Sequence, residues 1–517
     1  MLCRTSRAMK LCHTGLGFRF LCSTRAMYSE QPRSGGSFQR TTFLKRQRPP
    51  FETGQPIHET RPNLVKAGDL TPGIPAIEYY KRRLAIMSRL PPNSCFILAS
   101  HDISYASDAV FYPFQQDTDF YYLSGWNEPE SVLVLEKDNS NSNEILVTMF
   151  VPEKDKFAEK WNGARTGTRG SKDIFNADEA YPISQLKNIL PNIVKRNENV
   201  YFNSKLDNAR SSKTSILTER IIYDGMKDYG RLKSCKRELA QIRKIKSANE
   251  LHLMRQIGRI TGRTFNQAIA KRFRNERTLA AYLDCKFISG GCDGSAYVPV
   301  VATGSNALCI HYTQNNDVMY DDEMVLVDAA GMLGGYRADV SRTWPVSGRF
   351  TDPQRDLYQA VLNVQKKCVQ FCKASLGMCL EDIHRESVSM MRQEIKNVGI
   401  SETASWNVEQ LYCHYVGHNL GLDVHDVPEV LRSEPLEVGQ VITIEPGLYI
   451  PDDPKFPEYF RNIGIRIEDD IAVGKDTYVN LSVEAVKELA DLESIMRNGK
   501  TLARFDDDVV NPLEDGF

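Results

Sequence analysis

Three apolar, strand-like runs in this chain end on an acid. Met324-Val325-Leu326-Val327 leads into Asp328, Val441-Ile442-Thr443-Ile444 into Glu445, and Ile463-Gly464-Ile465-Arg466-Ile467 into Glu468. Side chains alternate along a strand, so Gly464, Arg466 and Glu468 share one face while three isoleucines fill the other. Such a reverse face looks either into solvent or into a polar cavity. Asp339 follows Asp328 across the turn residues Gly331, Gly334 and Gly335, and strand, glycine-rich turn and strand make a hairpin that can bring the two carboxylates to one end. Taken singly, these acids read as turn or surface residues, and Arg466 with Glu468 as an exposed ion pair worth at most about 1 kcal/mol. Taken together with His418 they form a ligand set. Four carboxylates in one cavity repel strongly enough to keep some protonated, whereas two divalent cations neutralise all four and one imidazole completes the shell.

A chain of 517 residues exceeds what one hydrophobic core organises, so two folded domains with tails are expected. A formal net charge of −1 supplies no field to gather nucleic acid or anionic membrane. No apolar run reaches the roughly 18 residues of a spanning helix. The 12 cysteines contain no CxxC pair, and Cys368 and Cys372, four apart in a helical pattern, read as core thiols in a reducing compartment. The first residues differ from the rest. No acid precedes Glu30, while Arg4, Arg7, Lys10, Arg19 and Arg25 occur among serines and threonines, the composition of a mitochondrial transit peptide.

The expected organisation is a transit segment at 1–29, a disordered linker at 30–72, an N-terminal domain at 73–235, a catalytic domain at 236–495 and a tail at 496–517. A helix carrying Tyr79, Leu84 and Met87, a buried strand at Cys95–Ala99, and a hairpin from Ser131–Leu135 and Ile145–Thr148 make the N-terminal domain mixed α/β. The basic stretch from Arg231 to Lys246 reads as a solvated linker and helix entry. Beyond it, strands at Met324–Ala329, Gly335–Val346, Val441–Glu445 and Ile463–Asp469, with a helix of about twenty residues from Asp352 to before Gly377, give an α+β domain with antiparallel strands.

Three of the nine histidines, His414, His418 and His425, fall within twelve residues, beside Gly417 and Gly421 where backbone must approach something closely. His311 stands in Cys309-Ile310-His311-Tyr312. With His311-Tyr312, Leu326-Val327-Asp328, Asp339-Val340-Ser341-Arg342-Thr343-Trp344, His414-Tyr415-Val416-Gly417-His418-Asn419-Leu420-Gly421, Asp423-Val424-His425-Asp426, Ile444-Glu445-Pro446-Gly447 and Arg466-Ile467-Glu468-Asp469-Asp470 in order, the chain resembles the aminopeptidase P family, in its mitochondrial type. Tyr112 to Gly125 is similar to that family's non-catalytic domain.

The resemblance implies a C-terminal pita-bread (creatinase/aminopeptidase) catalytic domain behind the α/β domain, holding two Mn²⁺ ions per subunit. It implies Asp328 as ligand of one ion, Asp339 and Glu468 as bridges, and His418 and Glu445 as ligands of the other. Glu445 is then the proton acceptor from water, His311 and His425 orient the scissile carbonyl and the residue after it, His414 stabilises the tetrahedral intermediate, and Arg466 orients carboxylates. One imidazole, four carboxylates and no thiolate suit a hard ion better than structural zinc. The implied activity is removal of an N-terminal residue from peptides and proteins with proline second, including newly processed mitochondrial proteins; the alternative is an Xaa-Pro dipeptidase. Substrates are the partners expected, without nucleic acid or a membrane span, in a homodimer, located in mitochondria with the cytoplasm as second location. Tyr415 and Gln115 depart from the family pattern and bear on substrate preference.

Overall fold

The computed structural model describes residues 52–137, 144–203, 221–222, 232–400 and 407–499. Val132–Lys137 and Ile145–Val151 pair antiparallel, as two apolar runs around a polar loop predict; the loop itself, 138–143, lies outside the described residues. They belong to a six-stranded mixed sheet in the order Leu232–Lys233, Asn199–Phe202, Ser94–Ala99, Val132–Lys137, Ile145–Val151, Glu179–Pro182. Ser94–Ala99 is buried throughout. Phe96 and Leu98 join Leu133, Leu135, Ile86 and Met87 in the main core, while Cys95, Ile97, Val132 and Val134 meet Leu190, Ile193 and Val194 of the helix Leu186–Arg196. A strand buried on both faces has no polar alternation, which is why it reads as an unbroken apolar run. The main cluster of buried apolar residues runs on through the C-terminal half to Met496.

Beyond Lys236 the named strands pair antiparallel. Gly331–Leu333 and Tyr336–Arg337 form a tight hairpin through Gly334 (φ 58°) and Gly335 (φ 84°), a turn that places both central residues in the left-handed region. Met324–Asp328 pairs with Ser341–Pro345 in the same register, Asp328 opposite Ser341. The two ladders are thus one hairpin with a gap, and Asp339 lies in the gap. A second hairpin repeats the device. Val441–Ile444 pairs with Asp469–Val473 and Gly447–Ile450 with Ile463–Arg466, leaving Glu445 and Glu468 facing each other between them.

The runs 335–346 and 463–469, expected as continuous strands, are therefore each broken in two. In an antiparallel pair alternate residues turn their N–H away from the partner strand, while Ala329 N–H to the Val340 carbonyl at 3.1 Å and Ile467 N–H to the Pro446 carbonyl at 3.4 Å still span the two gaps. Asp339 N–H reaches the Asp470 carboxylate at 3.2 Å, and Glu468 N–H the Ser341 carbonyl at 3.1 Å. The helix Asp352–Val369 starts at the expected residue, behind a Thr351/Gln354 capping box, but ends before the expected stop. The chain then turns separately at Ala374–Leu376, where Ala374 N–H bonds the Gly474 carbonyl at 3.0 Å.

Three further expectations change. The transit segment 1–29 and the first part of the linker, 30–51, lie outside the described residues. From residue 52 the linker is not disordered: Ile57, Val65 and Leu70 are buried, and buried Gln55 donates to the Gly125 carbonyl at 2.8 Å. Its apolar residues are too sparse to show a period, yet Ile57, Val65 and Leu70 are buried while Leu64 stays exposed. At the other end the helix Leu489–Gly499 crosses the expected tail boundary, with Met496 in the core; 500–517 lie outside the described residues. The end of the basic stretch is not solvated either, since Arg243, Lys244 and Lys246 are buried against acids, while Lys233 and Arg237 are exposed as expected.

Candidate metal centre

The two broken hairpins meet along Ser341–Pro345 and Ile463–Arg466, where Thr343 Oγ1 accepts the Arg466 N–H at 3.2 Å. Their gaps face one cavity. Asp339, His418 and Glu468 each direct a donor atom there, and these atoms lie within 4.8 Å of one another. His418 Nε2 stands 3.5 Å from Asp339 Oδ2 and 3.5 Å from Glu445 Oε1. Its Nδ1 bonds the Asn419 carbonyl at 3.0 Å, and a carbonyl only accepts, so the proton sits on Nδ1 and Nε2 is left for a ligand. Asp328 reaches the group through Tyr297, whose hydroxyl contacts Asp328 Oδ1 at 2.5 Å and Asp339 Oδ1 at 2.6 Å.

Charge in this cavity is out of balance. Burial raises the carboxyl pKa of Asp328, with Arg466 opposing and Asp339 adding to the rise. Burial lifts Glu445 to about 7 against the pull of His418 and Arg466. Burial and the neighbouring Asp339 and Glu445 carry Glu468 well above the ordinary range. Burial alone would depress His418, but Asp339 and Glu445 outweigh it and hold the imidazole at about 9. Protons thus supply positive charge that the chain's own cations do not. A donor set of one imidazole and several carboxylates, arranged so that protons fill the shortfall, fits divalent cations.

Arg466 differs from expectation in partner. It shares a strand face with Glu468, yet its Nη2 pairs with Asp328 Oδ2 at 2.7 Å, and its Nε donates to Ser341 Oγ at 2.9 Å, which in turn donates to Glu468 Oε2 at 2.6 Å. Both Arg466 and Glu468 are buried, so the exposed ion-pair reading does not hold. His414 is a neutral group: burial, then Arg466, bring it to about 4. Its Nδ1 bonds the Tyr415 carbonyl and its Nε2 the Tyr449 hydroxyl, each at 2.9 Å, so contact with a substrate requires exchanging the Tyr415 carbonyl for it. The His425 ring lies 4.4 Å from that of His418, and burial, then His418, lower its pKa. His311 is exposed, and its charge is among those that depress both His414 and His425. Tyr415, also exposed, stacks under Arg432 at 4.0 Å. Gln115 lines a cavity of about 480 Å³ with Asp293 and Arg337.

Tyr297, Ser341, Tyr449 and Asp470 were not legible as site residues. Only Ser341 carried a signal, two positions after Asp339 on the same strand parity. Gly417, by contrast, does what its context suggested. A Cβ there would stand 1.9 Å from the Thr443 carbonyl oxygen, and Thr443 also accepts the His418 N–H through Oγ1 at 3.1 Å. Gly417→Ala is expected to cost about 1–3 kcal/mol and to weaken metal binding, because the strand that must yield carries His418's support. Thermal melts with and without metal test this; an unchanged melting temperature contradicts the close approach.

Residues 252–475 match the model of metallopeptidase family M24, and residues 79–201 that of the aminopeptidase P N-terminal domain. The chain is 60% identical over 481 residues to intermediate cleaving peptidase 55 of Saccharomyces cerevisiae, covering 91% of this chain and 94% of that protein. It is 36% identical over 501 residues to human Xaa-Pro aminopeptidase 3, covering 93% and 96%. Among solved structures, S. cerevisiae Icp55 lacking its N-terminal 58 residues superposes with a TM-score of 0.79 at 60% identity, over 84% of this chain and 100% of the other. Proline aminopeptidase P II of Yersinia pestis gives 0.76 at 30% identity, over 82% and 100%.

Proposed function

Because this chain belongs to the aminopeptidase P family of M24 metallopeptidases, we propose that it removes single residues from peptide and protein N-termini with proline second, and trims N-termini exposed by mitochondrial processing. It is a metallo-aminopeptidase that uses divalent cations. The observation carrying the reading is the convergence of Asp339 and Glu468, from the gaps of two hairpins, with His418, and with Asp328 and Glu445 beside them. We assign two Mn²⁺ ions, since four carboxylates and one imidazole without thiolate favour hard ions. Asp328 would hold one ion and His418 with Glu445 the other, while Asp339 and Glu468 would serve both. When bound, such ions polarise the scissile carbonyl and lower the pKa of an attacking water.

The chain supplies the rest. Glu445, kept basic by burial, takes the proton from water. Arg466 fixes Asp328 directly and Glu468 through Ser341, and so sets carboxylate orientation. His311 and His425, on the exposed side, orient the carbonyl and the proline ring, whose tertiary amide has no N–H to offer. His414 donates its Nδ1 proton to the developing oxyanion once it leaves the Tyr415 carbonyl.

The dipeptidase alternative is not favoured: relatives at 60% and 36% identity over nearly their whole lengths carry the names intermediate cleaving peptidase and Xaa-Pro aminopeptidase. Paired assays of an Xaa-Pro dipeptide and an Xaa-Pro-Yaa tripeptide, after stripping and reloading with Mn²⁺ or Zn²⁺, test the reading. The tripeptide should turn over and the dipeptide scarcely; preference for the dipeptide overturns it. Mitochondrial location rests on the transit-like composition of 1–29 and on a 35% identical Arabidopsis thaliana relative named mitochondrial. Deleting 1–29 is expected to leave the enzyme in the cytosol with its peptidase activity intact, and a persisting mitochondrial signal refutes that. The homodimer belongs to the same proposal, and sedimentation of the purified enzyme checks it.

A further inference from the structure

Thr443 N–H to the His418 carbonyl at 2.9 Å and Leu420 N–H to the Val441 carbonyl at 3.0 Å pair His418–Leu420 with Val441–Thr443, but the following residues 421–427, which carry His425, have no regular secondary structure. Side chains of the basic stretch at the entry to the catalytic half anchor them. Arg243 is buried, and its two terminal nitrogens serve four acceptors. Nη1 donates to Asp119 Oδ1 and to Thr118 Oγ1 at 3.2 Å; Nη2 donates to Asp423 Oδ2 at 2.9 Å and Asp426 Oδ1 at 2.6 Å. Lys246 Nζ bonds the other Asp426 oxygen at 3.0 Å, and Thr118 Oγ1 donates to Asp423 Oδ2 at 2.7 Å. Asp426 then returns to the metal centre, because its N–H and His418 Nδ1 share the Asn419 carbonyl, at 2.9 and 3.0 Å.

Two features show that this segment is held against its own preference. Val427, β-branched, sits at φ 45°, a conformation that persists only where surroundings impose it. At Gly421 a Cβ would stand 2.5 Å from Asp426 Oδ2, so the loop closes onto its own anchor.

We propose that Arg243 and Lys246 are positioning residues for the peptidase reaction. They hold the 423–427 turn so that His425 meets the substrate, and Arg243 makes Thr118 and Asp119 of the N-terminal half part of that support. A planar fork serves four acceptors at fixed angles; an ammonium does not. The inference rests on the substrate-facing role given to His425 above.

The test is a double-mutant cycle with Arg243→Lys and His425→Ala, read as kcat/KM on an Xaa-Pro-Yaa tripeptide, with metal content and melting temperature measured beside it. Arg243→Lys alone should lower kcat/KM about 10–100-fold with metal retained. In the His425→Ala background it should add less than about threefold, since residues acting through one another are not additive. Losses that multiply in the double variant overturn the inference, as does a loss fully explained by missing metal. If Arg243→Lys fails to fold, Thr118→Val takes its place in the same cycle and is judged the same way. A His425→Ala enzyme with normal activity removes the role of His425 and this inference with it; a crippled His425→Ala enzyme with multiplicative losses removes this inference alone.

Discussion

Glu445→Gln is expected to keep its divalent cations and lose about 10²–10⁴-fold in kcat, the range that a positioned proton acceptor contributes. Gln has the shape of Glu and retains one acceptor oxygen toward a cation. The backbone at this position is unaffected, because Glu445 N–H bonds the Val416 carbonyl at 2.7 Å. What Gln lacks is a proton site. Burial lifts the Glu445 carboxyl to about 7, which makes it basic enough to accept a proton near neutrality; cations would pull it down again, so the two influences oppose each other. The substitution also removes one of the carboxylates that hold His418 at about 9. His418 then releases its proton more readily, which favours metal retention. Measuring kcat at saturating metal together with metal content separates the outcomes. Near-normal kcat denies Glu445 its role as proton acceptor, and a metal-free variant makes it chiefly a ligand.

The fold was legible where a local period carried it. Apolar runs announced the strands that lead into Asp328, Glu445 and Glu468, and Asp352-Pro353 announced a helix start. The gaps were not legible. Nothing in Gly335–Val346 or Ile463–Asp469 shows that pairing lapses at Asp339 and Glu468, since a gap is a property of two strands and a sequence shows one. The same limit explains Arg466, whose face was read correctly while its partner, Asp328, lies 138 residues away. It also explains Arg243 and Lys246. A basic run has the same composition whether solvated or buried against acids 124 and 180 residues distant. Tyr297 gave no sign at all, because a tyrosine before Val-Pro resembles ordinary core until its hydroxyl is found between two aspartates.

Arg342→Met is expected to destabilise the enzyme by about 3–5 kcal/mol, the cost of removing one partner from a buried charged network. Arg342 is fully buried, and each of its five N–H groups has an acceptor: Nε to Val486 O, Nη1 to Ser341 O and Glu468 O, and Nη2 to Ala485 O and Asp469 Oδ1. Met fills much of the volume but satisfies none of these oxygens, and an unpaired buried acceptor costs more than a bond contributes. Asp469 is not left bare, for Lys487, Gln365 and Asn480 also bond it. Burial alone would raise its carboxyl pKa, but Lys487 and Arg342 override burial and hold it far below the ordinary range. A carboxyl depressed on folding contributes stability above its unfolded pKa of about 3.9, and that contribution is lost as pH falls through the folded value. The variant should therefore unfold at lower urea near neutral pH and at a less acidic pH in an acid titration. Because the Glu468 carbonyl loses a donor, the variant should also bind metal more weakly than the enzyme with Arg342 intact. Wild-type urea and acid midpoints together would mean that these five bonds are replaced by water at no cost, which zero exposure at Arg342 makes difficult.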